Sequence, residues 1–115
     1  MKLSTQPLHY LTIDSVNAAT TEVFAAEHGL LLELAEPRDL PRLEKQNALL
    51  IVDGDHLPPD NQDRVLASSS LRVAAIHSYS ISDSAACFLS QRGILCSRKL
   101  DHEMFQLLDI LEPAA

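Results

Sequence analysis

Tryptophan is absent from this sequence and aromatic residues make up only 4% of it, so a core must be built from Leu, Ile, Val and Ala. Glycine is scarce too, at 3 residues. Neither G-x-G-x-x-G nor a P-loop occurs, so dinucleotides and nucleoside triphosphates are not expected ligands. Cysteine is limited to Cys87 and Cys96, which form no C-x-x-C pair. A thiolate zinc site is therefore not expected, and both read as reduced thiols acting as small hydrophobes. Positive charge is short as well: 9 Lys and Arg against 16 Asp and Glu give a formal net charge of −7. Such a chain repels phosphate backbones, which argues against nucleic-acid binding and favours a cation or a basic patch on a protein partner. No apolar run approaches the roughly 20 residues of a membrane span, so membrane association is not expected. Lys2 is followed by polar Ser4, Thr5 and Gln6 rather than an apolar signal core, which makes cytoplasm the expected compartment.

The 115 residues are 46% apolar, enough for one domain with one core. That domain is expected over residues 1–115, with its core between 8 and 111; residues 112–115 could open a linker. Short apolar runs at residues 8–13, 30–34, 48–52, 72–77 and 94–97 alternate with longer stretches of helical spacing. Five strands alternating with helices imply an α/β fold with a parallel sheet.

In the first helix Val16, Ala19, Val23 and Ala26 form one apolar stripe, with Asp14 or Ser15 as cap and Gly29 at the C-terminal stop. Pro37 and Pro41 confine the second to residues 38–45, where Leu40 and Leu43 can pack. Pro58 and Pro59 introduce a third, short or partly irregular, with Val65, Leu66 and Ala67 as its apolar side. The fourth begins at Ser80 or Ser82, puts Ile81, Ala85, Phe88 and Leu89 on one side, and stops at Gly93. The fifth has Asp101 as cap, Glu103 in its first turn, a stripe of Met104, Leu107, Leu108 and Leu111, and Pro113 as its end. The run Ala48-Leu49-Leu50-Ile51-Val52 is apolar throughout and should be the central strand. The mixed run at 8–13 fits a position near the centre with one polar contact, and the short run at 94–97 fits an edge.

In open parallel sheets, ligands gather beyond the carboxyl ends of the strands. That rule selects Asp14 and Ser15, then Asp53-Gly54-Asp55-His56, then His77 and Ser78, then Arg98-Lys99. On these residues the chain resembles the receiver domains of two-component signalling, from Leu8 to Leu111. Leu-Thr-Ile-Asp14, Leu-Leu-Ile-Val-Asp53 with Pro58 following, Val-Ala-Ala-Ile-His77 and Arg98-Lys99-Leu100-Asp101 carry the likeness. It implies a doubly wound, flavodoxin-like (βα)5 sandwich with strand order 2-1-3-4-5. It also implies Asp53 as the phosphoacceptor equivalent, Asp14 and Asp55 as an acidic pocket, and His77, Ser78, Arg98 and Lys99 as the switch positions.

The departures bear on function. Asp14 is followed by Ser15, where the family has adjacent acids that hold Mg²⁺. His77 takes the seat of a hydroxyl, with Ser78 beside it. Arg98 takes the seat of a Lys, unless a shift of one residue puts Lys99 there. The stretch between Asp53 and Pro58 is one residue longer than usual. Phosphoryl transfer to an aspartate needs a divalent ion and a cation at the phosphoryl oxygens, so the pattern resembles a pseudo-receiver that signals by binding.

Several readings stay open side by side. Asp53 is a working phosphoacceptor with Mg²⁺, or a relic carboxylate that caps its loop or pairs with Arg98. Asp14, Asp53 and Asp55 hold Mg²⁺ or Ca²⁺, or form a solvated acidic rim. His77 reports pH, fills the phosphate position, or is simply hydrogen-bonded at a strand end. His56 reads as an exposed loop residue. A hydrolase triad of Ser78, His77 and Asp53 is disfavoured, because neighbours on a strand face opposite ways and no G-x-S-x-G elbow exists. No catalytic residue and no obligatory cofactor is expected. A protein partner is: a sensor kinase, an effector domain or a second copy, docking on residues 80–111. Phe88 and Phe105 are core residues or anchors on that surface. A small-molecule or metal-binding flavodoxin-like domain is the third reading.

Overall fold

The computed structural model describes residues 7–111, with side chains described through residue 108. The expected roles of Leu111 in the last stripe, Pro113 and the 112–115 tail fall outside the described side chains. The chain runs β1 (Leu8–Leu11), α1 (Ser15–Glu27), β2 (Leu32–Ala35), a 3₁₀ turn (Pro37–Asp39), α2 (Leu40–Lys45), β3 (Leu49–Asp53), α3 (Pro59–Ala67), β4 (Arg72–His77), α4 (Asp83–Gln91), β5 (Leu95–Ser97) and α5 (His102–Leu111). All strand pairs are parallel, in the order β2-β1-β3-β4-β5. This is the doubly wound, flavodoxin-like α/β fold.

Strand β3 is central because its side chains are apolar on both faces. Leu50 and Val52 join a cluster with Leu40 and Leu43 of α2, Val65 of α3 and Leu89 of α4. Ile51 points the other way, into a cluster with Ala25 of α1 and Met104, Phe105 and Leu108 of α5. The sheet therefore lies between α1 and α5 on one face and α2, α3 and α4 on the other. Strand β1 lies between β2 and β3; on one face its His9 Nε2 stands 2.9 Å from the carboxylate of its register partner Glu33, and on the other Tyr10 carries its phenol to the end of β4.

Local signals set most helix ends. The Asp14 carboxylate accepts the Asn17 N–H at the start of α1, and Gly29 closes it at φ +69°, where a side chain would be strained. Ser82 caps α4 and Asp101 caps α5 through the Met104 N–H. The third helix is a regular nine-residue helix with Val65 as its one buried side chain.

The expected face of α1 is corrected. Val16, Ala19, Val23 and Ala26 are all exposed, and Thr21 and Ala25 are buried. A polar anchor decides the rotation of this helix: Asn17 donates to Asp53 at 3.1 Å, which turns the line Asn17, Thr21, Phe24 and Ala25 toward the sheet. Helix α4 is corrected in part, because Leu89 is buried while Ala85 and Phe88 face solvent. In α5 the inward side is Met104, Phe105 and Leu108, and Leu107 is 40% exposed.

Candidate functional site

The carboxyl ends of β1, β3 and β4 meet on the α1/α5 face of the sheet, at the point where the strand order reverses. Parallel pairing alone would have set Ile76 opposite Asp53. A register shift after Leu50 inserts one extra β4 residue, so that Asp53 pairs with His77. Bulges re-aim side chains in this way, because one added residue inverts the alternation beyond it.

Asp53 is fully buried. Its Oδ2 accepts from the Thr12 hydroxyl at 2.6 Å and Asn17 Nδ2 at 3.1 Å, and lies 3.0 Å from His56 Nδ1. Its Oδ1 accepts the backbone N–H groups of Asp55 and His56 at 3.0 and 3.3 Å. Burial works to raise its pKa. The Thr12 and Asn17 hydrogen bonds, the nearby His77 and the Asp55 N–H outweigh it, so the carboxyl ionises below its ordinary range. Among the described residues no Lys or Arg pairs with Asp53.

His77, also buried, stacks on Tyr10 with ring centroids 5.7 Å apart, and its Nε2 lies 2.6 Å from the phenol oxygen. The same Nε2 is 3.7 Å from Asp53 Oδ1, and Nδ1 is 3.8 Å from Asp55 Oδ2. Burial lowers the His77 pKa more than Asp53 and Asp55 raise it, so the ring is neutral near neutral pH. Burial, reinforced by Asp53, pushes the Tyr10 phenol well above its ordinary value. The hydroxyl of buried Thr21 meets no hydrogen-bond partner at good geometry, yet it is close enough to interact with that phenol.

The Asp53-Gly54-Asp55 turn is strapped to the end of β4. Gly54 N–H donates to His77 O at 2.8 Å, and a Cβ at Gly54 would stand 2.8 Å from that same oxygen. Asp55 Oδ1 accepts the Tyr79 N–H at 2.8 Å. Only glycine permits this approach, which holds the Asp55 carboxylate over His77.

The structure brings Asp14, Asp53, Asp55 and His77 to one rim, and leaves two expected partners outside it. Arg98 turns to Asp83 at 2.6 Å and the Ile81 carbonyl at 3.2 Å, so its expected pairing with Asp53 is corrected. Lys99 is exposed, and Ser97 Oγ binds its backbone on both sides. Ser78 uses its N–H to extend the sheet to Ser97. Of the expected cation candidates Asp14, Asp53 and Asp55, the last two lie with His77 in a group whose donor atoms are within 4.8 Å of one another, and Asp14 is not in that group. Asp14 Oδ2 caps α1 through the Asn17 N–H, and Oδ1 lies 3.8 Å from His56 Nε2. His56 is exposed but not idle, since Nδ1 contacts both Asp53 and the Asn17 amide.

Thr12, Asn17 and Tyr10 were not singled out from the sequence. Alternation along β1 places Tyr10 and Thr12 on one face, and Asn17 lies one turn into a helix that starts at this rim; both signals were there to be read. Beside the rim, a cavity of about 360 Å³ opens between the ends of β1 and β2, lined by Thr12, Asp14, Ala18, Leu34 and Arg38 among others. Comparison with protein-family models, with curated proteins and with solved structures gave no match.

Proposed function

We propose that this chain is a receiver-like signalling module that acts by binding a protein partner, in the cytoplasm, and not by carrying a phosphoryl group. The flavodoxin-like strand order with an aspartate at the end of β3 supports the receiver likeness. One observation carries the second half: Asp53 is buried beneath Thr12, Asn17 and His56, with both carboxylate oxygens already accepting hydrogen bonds. An attacking carboxylate needs open access and cationic help at the phosphoryl oxygens. Here Thr12 stands against the carboxylate, Asp14 is used as a cap and Arg98 is paired elsewhere. The exposed Tyr79, Phe88 and Leu107 give the 80–111 side and its approach apolar anchors for a sensor kinase, an effector domain or a second copy.

The test is exposure of the isotopically labelled chain to Mg²⁺ and beryllofluoride, followed by amide spectra. The expected result is no slow-exchanging complex around Asp53, and no gain of mass after incubation with a small phosphoryl donor. A second set of amide signals centred on Asp53, Thr12 and His77 would instead make it a working phosphoacceptor.

A further inference from the structure

We propose that Asp53, Asp55 and His77 form a binding site for one divalent transition-metal ion of the zinc class. This goes beyond the signalling reading and does not depend on it. It also differs from the all-oxygen Mg²⁺ site that the receiver resemblance implies, because an imidazole replaces the carboxylate from the end of β1. Imidazole with two carboxylates suits zinc, cobalt and nickel, whereas Mg²⁺ and Ca²⁺ want oxygen alone.

Three independent features support the site. The first is convergence: one donor atom from each residue lies within 4.8 Å of the other two. The second is support from behind. Metal-ligating histidines hold their orientation by donating the remote ring N–H to a fixed acceptor. Tyr10 Oη lies 2.6 Å from Nε2, the nitrogen 3.7 Å from Asp53 Oδ1, so the ring nitrogen left open to an ion is Nδ1, 3.8 Å from Asp55 Oδ2. In the bound tautomer Nε2–H donates to the Tyr10 phenol oxygen. Asp53 is fixed in the same manner by Thr12, Asn17 and two backbone N–H groups, and the longest of these contacts, His56 N–H to Oδ1 at 3.3 Å, is the one a bound ion would replace. The third is charge: a fully buried carboxylate faces a second carboxylate across the turn with no Lys or Arg paired to either among the described residues. A bound cation offsets that concentration of negative charge. The ion enters from the Asp55 side, since Asp55 is exposed while Asp53 and His77 are closed off.

The competing location is the exposed pair His28 and His102, whose ring nitrogens are 3.5 Å apart with Glu27 nearby. The experiment is a Co²⁺ titration of the metal-free full chain, read by visible absorption, with Zn²⁺ added back as competitor. The expected result is a single saturable band, without thiolate charge transfer, that Zn²⁺ abolishes and excess Mg²⁺ does not. Asp55→Asn and His77→Gln should each remove the band. Asp14→Asn and His102→Gln should leave it unchanged. Tyr10→Phe should keep the band's shape but move it to roughly 10- to 100-fold higher Co²⁺. Circular dichroism of each variant separates lost binding from lost folding, and exposed Asp55 supplies a variant that spares the core. A band that survives Asp55→Asn, vanishes in His102→Gln, or never forms would overturn the assignment while leaving the phosphorylation test above untouched.

Discussion

Replacing Thr12 by Val tests how the buried aspartate is tolerated. The side chain keeps its shape and loses one hydroxyl. That hydroxyl donates to Asp53 Oδ2 at 2.6 Å and accepts the Asp14 N–H at 3.0 Å. A hydrogen bond to a charged group contributes about 1.5–3 kcal/mol, and a neutral one about 1 kcal/mol. The expected loss at neutral pH is therefore about 2.5–4 kcal/mol, a large share of the roughly 5–15 kcal/mol of a typical domain. The loss should also depend on pH in a defined direction. Asp53 ionises in the folded protein below its ordinary value of 3.8. It therefore contributes stability that is present above that ordinary value and lost as pH falls through the folded one. Without Thr12 its pKa rises and less stability remains to be lost, so the two proteins converge on acidification. Urea denaturation of the metal-free protein, followed by circular dichroism, measures this at neutral pH and below pH 3.8. A double-mutant cycle with Asp53→Asn should give a coupling of about 1.5–3 kcal/mol at neutral pH. A coupling under about 0.5 kcal/mol, or a Thr12→Val cost that does not shrink in acid, would refute this account of Asp53.

Other outcomes follow from the same geometry. Gly54→Ala should lower the thermal midpoint and cost about 1–3 kcal/mol, because the added methyl meets the His77 carbonyl, which cannot retreat without breaking the Gly54–His77 hydrogen bond. Phe105→Ala, at a site with no exposure, should cost about 3–5 kcal/mol, and Phe88→Ser, on the 60% exposed residue, should stay within about 0.5 kcal/mol by urea titration. His77 is held neutral, with a folded pKa below its ordinary 6.5, so the unfolded chain binds more protons and stability should fall as pH drops through that value. His77→Gln should flatten that slope in urea titrations across the same interval; an unchanged slope would assign it to other histidines.

Strand alternation, chain punctuation and the apolar run at β3 made the architecture readable. Each depends on local spacing, and the central position of β3 follows from its having no polar face to show. Asp14, Ser82 and Asp101 were identifiable as caps because a cap acts within four residues of itself. The face of α1 was not readable. Its valines lie on one side, but Asn17 binds Asp53, thirty-six positions away, and that contact turns the valines outward. Phe88 and Phe105 are the same residue type on successive helices, and only docking separates the exposed one from the buried one.

The site divides along the same line. Asp53, Asp55 and His77 were marked by their places after strands, and the one-dimensional pattern could bring them no closer than a shared rim. The extra residue in β4 that sets His77 against Asp53, the close pass of Gly54 under the His77 carbonyl, and the ion pair that draws Arg98 to Asp83 are long-range events. The amino-acid order fixes which elements form, because helices and strands answer to neighbours a few residues apart. Which side chains face one another was decided in three dimensions, because register, helix rotation and partner choice depend on every surface that packs at once.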